Sequence, residues 1–402
     1  MSSILKDKEI VLCVSGGIAA YKSVELLRLL KTAGAAVRVI MTRNAEAFVG
    51  AMTFAVLSGR PVCRSLFEET AGGDASIRHI DWAREADAVV IAPATANTIG
   101  KLANGIADDA LSTFMMAVTC PVLLCPAMNT HMYENRAVQR NLDTLSADGY
   151  HLLEPDAGEL ACGTVGPGRL PPPDSILERL IRLLTPKDLA GRRVLVTAGP
   201  THEPIDPVRY LANPSSGKMG FALALAAVRR GGEVILVTGP SHQPDPAGVA
   251  VFRVKTAVEM AEAVLERAEA SDIILKSAAV SDFRPAAPDA HKIKKDAAAL
   301  TISLTRNPDI LKTLGERNTG RIRVGFAAET RNLAEYATRK LQEKNLNLIV
   351  GNRVDRIGVG FGGDENTVSL FFRDGRSEDL PAMAKIELAD VILDRVVDML
   401  SE

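Results

Sequence analysis

The feature that most constrains the fold of this 402-residue chain is a strand–helix alternation that starts at once and persists through both halves. The run "EIVLCVS" leads to the helical pattern "AAYKSVELLRLLKTAG", closed by Gly34, then to "AVRVIMT" and helical material up to Gly59. "DAVVIAPAT", "PVLLCPAM" and "YHLLEP" continue the strands, with helices from about Asp108 and through "MYENRAVQRNLDTLSADG". Short apolar runs separated by amphipathic helices make βαβ units, which demand a parallel sheet covered on both faces. After the helix "DSILERLIRLLT", the segment "PKDLAGRR" combines proline, glycine and charge, and "VLVTAG" opens a second series running to "LNLIVG". A late hairpin, "TVSLFFRDGRS", turns at Asp374 and Gly375 and adds an antiparallel edge. The expected fold class is α/β: two doubly wound, Rossmann-like or flavodoxin-like three-layer domains with mostly parallel sheets. The boundary falls in the segment 186–191, giving domains 1–188 and 189–402.

Length agrees, since about 150 residues per domain predicts two or three domains. Lys and Arg total 47 against 49 Asp and Glu, so the overall field selects neither nucleic acid nor an anionic membrane as partner. No apolar run approaches the ~20 residues that span a bilayer, and a cytoplasmic protein is expected. The five cysteines are odd in number and lack C-x-x-C spacing, which argues against a disulfide framework and a structural zinc site. Cys13 and Cys125 lie in apolar strands and read as buried small hydrophobes. Cys162 does not: it sits in "LACGTVGPGRLPPPD", too rich in glycine and proline for a helix or central strand.

Open α/β sheets bind ligands beyond the carboxyl ends of their strands, and the unusual residues cluster there. "VSGGIAAYK" places Ser15, Gly16 and Gly17 before the first helix, where backbone N–H groups can hold an anion. A mere tight turn reads equally well. Ala19 and Ala20 break the G-x-G-x-x-G fingerprint, so a dinucleotide site is disfavoured. "APATANTIG" sets Thr95, Asn97 and Thr98 behind Pro93, uncharged polar groups that suit a flavin ring or ribityl chain better than a metal. His79, at a helix start, is a surface histidine or a proton-transfer group near neutrality. Asn129 is a helix N-cap or a substrate ligand. In the second half "SSGKMG" fails as a P-loop, because Ala212 stands where its first glycine belongs and Met219 where it needs Ser or Thr. "HKIKK" gathers Lys292, Lys294 and Lys295, a solvated basic turn or a phosphate-binding run.

Together "SGGIAAYK", "APATAN", "PAMN" and "ACGTVGPGR" resemble the flavin-containing cysteine decarboxylase family. With the second half, the chain resembles the bifunctional coenzyme A biosynthesis family, a phosphopantothenoylcysteine decarboxylase fused to a CTP-dependent phosphopantothenate cysteine ligase. The resemblance implies ligation of 4'-phosphopantothenate with cysteine through an acyl-cytidylate, then decarboxylation to 4'-phosphopantetheine. It implies FMN, CTP as co-substrate, and magnesium held mainly by the CTP phosphates, its protein ligands unknown. FMN would rest on Ser15, Gly16, Gly17, Thr42, Pro93, Thr95 and Asn97. A carbanion beside the amide nitrogen has no electron sink, so in this family the cysteine side chain is first oxidised to a thioaldehyde. His79 acts on the substrate during oxidation, Asn129 binds its carboxylate, and Cys162, a thiol largely protonated at pH 7, protonates the ene-thiol left by carbon dioxide. In the ligase half Asn213 contacts the acyl-cytidylate, Arg209 lies near it, and Lys292 serves acyl-cytidylate formation. Lys276, Ser277, Ala278, Asp282, Asn307, Pro308, Asp309, Ile310, Phe326, Lys340 and Lys344 would line the CTP pocket. A homo-oligomer, with decarboxylase trimers and ligase dimers, is also implied. Two other classes compete: a non-catalytic flavoprotein scaffold, disfavoured by the presence of His79, Asn129 and Cys162, and an NAD(P)-linked reductase, disfavoured by the poor glycine fingerprints.

Overall fold

The computed structural model describes residues 3–65, 78–161, 163–294, 300–317, 320–329, 333–353 and 363–401. Two compact units divide between Thr185 and Pro186.

The first unit runs β1 (Glu9–Val14), α1 (Ala20–Thr32), β2 (Ala36–Met41), α2 (Ala51–Ser58), α3 (Arg78–Glu85), β3 (Ala88–Ala94), α4 (Ala96–Ala103), α5 (Ala110–Met115), β4 (Val122–Pro126), α6 (Thr130–Tyr133), α7 (Arg136–Ala147), β5 (His151–Leu152), β6 (Asp156–Glu159), β7 (Val165–Arg169) and α8 (Pro173–Leu184). Five strands form a parallel sheet in the order β2-β1-β3-β4-β5, the flavodoxin-like winding. Alternate residues of each strand feed opposite faces. Ile10, Leu12, Val14, Val90 and Ala92 pack with Leu26, Leu27 and Leu30 of α1 and with Ile176 and Leu180 of α8. Val11, Cys13, Val89 and Ile91 meet Ile99 of α4, Phe114 of α5 and Leu142 of α7. Cys13 and Cys125 are fully buried, as their apolar strands require, and burial pushes both thiols well above the ordinary range. Strands β6 and β7 form an antiparallel ribbon apart from the main sheet. Met128 donates its N–H to the Gly168 carbonyl at 2.9 Å, and a Cβ on Gly168, at φ 135°, would fall 2.2 Å from the Met128 oxygen. Only glycine lets β7 press against the loop that follows β4.

The second unit comprises β8 (Arg193–Ala198), β9 (Glu203–Pro204), β10 (Tyr210–Leu211), α9 (Lys218–Arg229), β11 (Glu233–Thr238), β12 (Ala250–Arg253), α10 (Ala257–Ala268), β13 (Ile273–Lys276), β14 (Phe283–Pro285), β15 (Leu304–Arg306), α11 (Ile310–Glu316), β16 (Ile322–Glu329), α12 (Leu333–Glu343), β17 (Leu348–Arg353), β18 (Glu365–Asn366), β19 (Val368–Phe372), β20 (Ser377–Asp379), β21 (Met383–Ala384) and α13 (Lys385–Ser401). Its eight-stranded sheet has the order β12-β11-β8-β13-β16-β17-β19-β20, parallel up to β17, with β19 and β20 as the expected antiparallel edge. On one face Leu223, Ala224 and Ala227 of α9 pack with Leu388, Ile392 and Val396 of α13. On the other face lie α10 and α11, with Met260, Val264 and Leu314 against Leu195 and Ile274. The strand order turns back between β8 and β13, which marks the switch point where such sheets take ligands.

Candidate functional site

Each unit carries one large pocket at the carboxyl ends of its strands. In the first unit a cavity of about 970 Å³ is lined by Gly16, Gly17, Thr42, Thr95, Asn97 and Asn129, among others. These follow β1, β2, β3 and β4, so the winding of the sheet brings them together. Gly16 must be glycine here, since a Cβ would lie 2.4 Å from Asn44 Cβ. Helix α1 has Ala19 at its N-cap with no side-chain cap, and in its first turn the Ala20 and Lys22 N–H groups donate to the Gly17 and Ala19 carbonyls at 2.9 and 3.0 Å. Thr42 Oγ1 is buried with no hydrogen-bond partner, a polar atom in the wall that a ligand would satisfy.

Ser15 and Pro93 do not line this cavity. The Ser15 hydroxyl is buried, donates to the Pro93 carbonyl at 2.6 Å and accepts from the Thr95 N–H at 3.0 Å. The two residues thereby lock the end of β1 to the end of β3 behind the pocket. Asn129 caps α6: its Oδ1 accepts from the His131 N–H at 2.9 Å, and its Nδ2 donates to Thr164 Oγ1 at 3.3 Å. With the oxygen accepting the cap bond, the amide presents its N–H side towards Thr164. His79 lies in the first turn of α3 and is absent from the pocket wall. Cys162 lies outside the described residues.

Sequence reasoning missed the charged groups of this wall. Lys22 Nζ donates to the Leu170 carbonyl at 2.6 Å, and burial, with Arg169 nearby, lowers its pKa. Lys101 pairs with Asp108 at 2.6 Å and with Asp109 at 2.8 Å. Asp109 also closes a capping box with Ser112 at the start of α5. Lys22 stands in the quoted "SGGIAAYK", Lys101 in α4 and Asp109 at the N-cap of α5, but a lysine on a helix surface carries no signal of its own.

The second unit's pocket has a volume of about 790 Å³. Its wall brings together Asn213, Lys276, Ser277, Ala278, Asp282, Asn307, Pro308, Asp309, Ile310, Phe326, Lys340 and Lys344. Lys344 pairs with Asp309 at 2.8 Å, and Asp309 also caps α11 through the Lys312 N–H. Lys340 Nζ donates to the Phe326 carbonyl at 3.0 Å. Lys276 donates to the Ala278 carbonyl at 3.1 Å; burial, reinforced by Lys340 and Lys344 and opposed by Asp309 and Asp282, pulls its pKa down to about 7. A lysine there is poised between its charged and neutral forms.

Arg209 and Lys292 lie outside this wall. Arg209 instead pairs with Asp206 at 2.7 Å and donates to the Ile293 carbonyl at 2.6 Å. Asp206 is buried, which pushes its pKa up, yet the Val208, Arg209 and Ile293 N–H groups and the Arg209 guanidinium hold it down to about 2. These contacts fasten the backbone between the exposed Lys292 and Lys294 to the β9–β10 hairpin. Lys295 lies outside the described residues. Among the described residues no cluster of three or more His, Cys, Asp or Glu could hold a metal ion, and no helix is long and apolar enough to cross a membrane.

Fold and pockets define a two-unit α/β protein with a flavodoxin-like first unit. Residues 2–185 match the family described as "Flavoprotein", and residues 189–400 the "DNA/pantothenate metabolism flavoprotein C-terminal domain". The chain is 50% identical over 397 residues to the coenzyme A biosynthesis bifunctional protein CoaBC of Bacillus subtilis (strain 168), covering 98% of this chain and 97% of that one. It is 45% identical over 403 residues to the CoaBC protein of Escherichia coli (strain K12), covering 99% and 98%. Among solved structures, the C-terminal domain of a CoaBC protein is 44% identical, with a TM-score of 0.47, covering 54% of this chain and 98% of that one. The chain belongs to the family of bifunctional coenzyme A biosynthesis proteins.

Proposed function

We propose that the chain makes 4'-phosphopantetheine from 4'-phosphopantothenate, cysteine and CTP, the second unit ligating and the first decarboxylating. The observation that supports this most is the gathering, in one pocket, of residues spread from Asn213 to Lys344 that the family resemblance assigns to a nucleotide. In the ligation a carboxylate oxygen attacks the α-phosphorus of CTP and pyrophosphate leaves. The cysteine amine then attacks the activated carbonyl, expels CMP and gives up a proton. Lys292, on backbone fastened by Asp206 and Arg209, supplies a point charge to the leaving pyrophosphate. Lys340 and Lys344 supply further charge, and magnesium rides on the phosphates of CTP.

For the first unit, the residues present fit FMN. The glycine turn before α1 receives the phosphate, Thr42 Oγ1 gains the partner it lacks, and Thr95 and Asn97 offer uncharged polar contacts. Bound there, FMN supplies the two-electron oxidation and reduction that make carbon dioxide loss possible. Asn129 presents N–H to the substrate carboxylate without the ionic pairing that would resist decarboxylation. Cys162 delivers the final proton, and His79 acts on the substrate at the oxidation. Because His79 is absent from the first pocket's wall and Lys292 from the second's, this reading includes assembly into decarboxylase trimers and ligase dimers, in which each would reach a neighbouring copy's pocket. Exposed apolar side chains such as Met52 and Val56 of α2, 74% and 71% exposed, offer surface for such contacts.

The test is an omission assay on the purified chain, following pyrophosphate. Release is expected only when CTP, 4'-phosphopantothenate and cysteine are present for full turnover. Release that ignores phosphopantothenate, or none with all three, defeats the ligase reading. A colourless protein that takes up no added FMN defeats the decarboxylase reading.

A further inference from the structure

Lys276 ends β13, a central strand of the second unit's sheet. Strands covered by helices on both faces are apolar, and Ile273, Ile274 and Leu275 keep to that rule. Lys276 breaks it. A charge costs free energy in such a place, and at the carboxyl end of a strand it is aimed at whatever the pocket takes.

The surroundings narrow its use. Register sets Lys276 beside Thr197 of β8 on one side and Gly325 of β16 on the other, with Phe326 next along β16. Phe326, Pro308, Ile310 and Leu311 line the same pocket, so this ammonium is offered to a ligand among an aromatic ring and aliphatic groups. The neighbouring lysines are engaged: Lys344 pairs with Asp309, and Lys340 Nζ donates to the Phe326 carbonyl. Lys276 Nζ has one hydrogen bond, to the Ala278 carbonyl at 3.1 Å, and no carboxylate of the described residues stands within ion-pair distance of it. An ammonium has three donors and no acceptor, so two N–H groups remain to be given. The charges that face it are Lys340 of α12 and Lys344 just beyond it, Asp309 at the cap of α11 and Asp282 in the loop after β13; with burial they leave its pKa at about 7.

The reaction decides which part of a nucleotide lies here. The phosphates must sit where pyrophosphate can leave and where Lys292, outside the wall, can act. The base neither reacts nor leaves, and its flat ring is what an aromatic side chain stacks upon. Cytosine presents two adjoining acceptors, ring N3 and the C2 carbonyl. Uracil keeps the carbonyl but carries a hydrogen on N3, which an ammonium cannot accept.

We propose that Lys276 selects the nucleobase: its ammonium donates to N3 and the C2 carbonyl of a cytosine laid against Phe326, and it turns away uracil. The assignment deepens the ligation reading and rests on it for the nucleotide.

Full-length Lys276→Met and Lys276→Gln are compared with the unaltered chain in initial rates of pyrophosphate release, with CTP and with UTP, at fixed 4'-phosphopantothenate and cysteine. The quantity read is the ratio of kcat/KM for the two nucleotides, in which contacts common to both cancel. Loss of a paired, charge-assisted contact in Lys276→Met should lower the preference for CTP roughly tenfold to a hundredfold, through CTP rather than UTP. Lys276→Gln, whose amide can turn to donate to cytosine or to accept from uracil, should raise the use of UTP. An unchanged ratio in both variants, whatever the loss of rate, makes the lysine a mere support of the pocket and overturns the assignment. If Lys276→Met does not fold, Lys276→Gln decides by the same ratio. If neither folds, the unaltered chain decides through pH: a neutral amine can accept from N3–H, so the preference should fall about tenfold between pH 6 and pH 8.5, and an equal preference at both overturns it. Where UTP gives no measurable release, calorimetry with CMP and UMP supplies the ratio. If the unaltered chain releases no pyrophosphate with CTP, the ligation reading has failed by itself; a CMP preference that Lys276→Met abolishes then supports the base slot, and no CMP binding to the unaltered chain overturns it.

Discussion

The first unit's pocket and the second's occupy equivalent places on similar sheets, yet they are walled with different materials. Gly16, Gly17, Thr42, Thr95, Asn97 and Asn129 offer backbone, hydroxyl and amide groups, and the charged groups among them are of both signs, Lys22, Arg43, Lys101 and Arg169 against Asp109 and Glu159. Lys218, Lys276, Lys340, Lys344 and Lys385 make the second wall cationic. A wall of mixed charge suits a resident group whose redox chemistry it must hold without pinning one charge state; a wall richer in lysine suits a polyphosphate that must arrive, break and leave. In the second unit the proposed cation lies on a run fastened by Asp206 and Arg209.

The largest expected effect tests the first pocket. Cys162→Ser keeps the size of the side chain but replaces a thiol with a far weaker acid, so the last step should slow by about 10²–10⁴-fold. Mass spectrometry should show an ene-thiol accumulating while carbon dioxide is still evolved and ligation continues; phosphopantetheine at the normal rate would leave Cys162 without a catalytic role. The second pocket is tested by Lys292→Gln. Pyrophosphate release should fall by about 10²–10³-fold, with the flavin spectrum and the decarboxylation of supplied phosphopantothenoylcysteine unchanged. An unaltered rate would reduce the lysine run to a solvated turn.

Smaller effects separate the units by stability. Arg230, with a side chain 7% exposed, bridges Asp188 at 2.6 Å and Asp394 of α13 at 2.7 Å. Breaking a buried pair costs about 3–5 kcal/mol, and the partial exposure of both carboxylates reduces this to about 2–3 kcal/mol. Arg230→Ala should therefore lower the unfolding temperature of the second unit, read by circular dichroism, and leave flavin release from the first unchanged; a joint shift of both signals would show that the units unfold together. The smallest effect is expected at Asp390, where burial raises the pKa to about 6 against the pull of Arg229 and Arg230, and Oδ2 is buried without a hydrogen-bond partner. The folded chain holds this proton more tightly than the unfolded one, whose carboxyl titrates near ~3.9, so stability is lost as pH rises from about 4 to 6. Asp390→Asn should stabilise by about 1 kcal/mol at pH 7.5, after allowance for solvent screening, and by nothing measurable at pH 4. Equal stabilisation at both pH values would contradict this origin.

Much of this architecture is legible because parallel strands are buried on both faces and so read as continuous apolar runs: β1, β3 and β4 stand out directly. The ribbons β9–β10, β14–β15 and β18–β21 do not, since strands of two or three residues have no period to read. The alternation also fails to predict α13, which follows an antiparallel edge rather than a parallel crossover. At the sites, loops after strands are readable as ligand loops, but the direction of a side chain within them is not. Ser15 turns inward to Pro93, and Arg209 turns to Asp206 and Ile293, because each satisfies a partner from a distant segment. Asn352 of β17, Asn366 of β18 and Lys385 at the start of α13 carry no local signal, and only the folded chain brings them to one pocket wall.

The central claim is that one chain performs two successive reactions in two chemically distinct pockets, and a time course by mass spectrometry tests it most directly. The purified chain is given 4'-phosphopantothenate, cysteine and FMN, with and without CTP, and separately given phosphopantothenoylcysteine without CTP. Phosphopantothenoylcysteine should appear only with CTP and then give way to phosphopantetheine, and the supplied intermediate should be decarboxylated with no nucleotide present. Ligation without CTP, or decarboxylation of the supplied intermediate that requires CTP, would contradict the account.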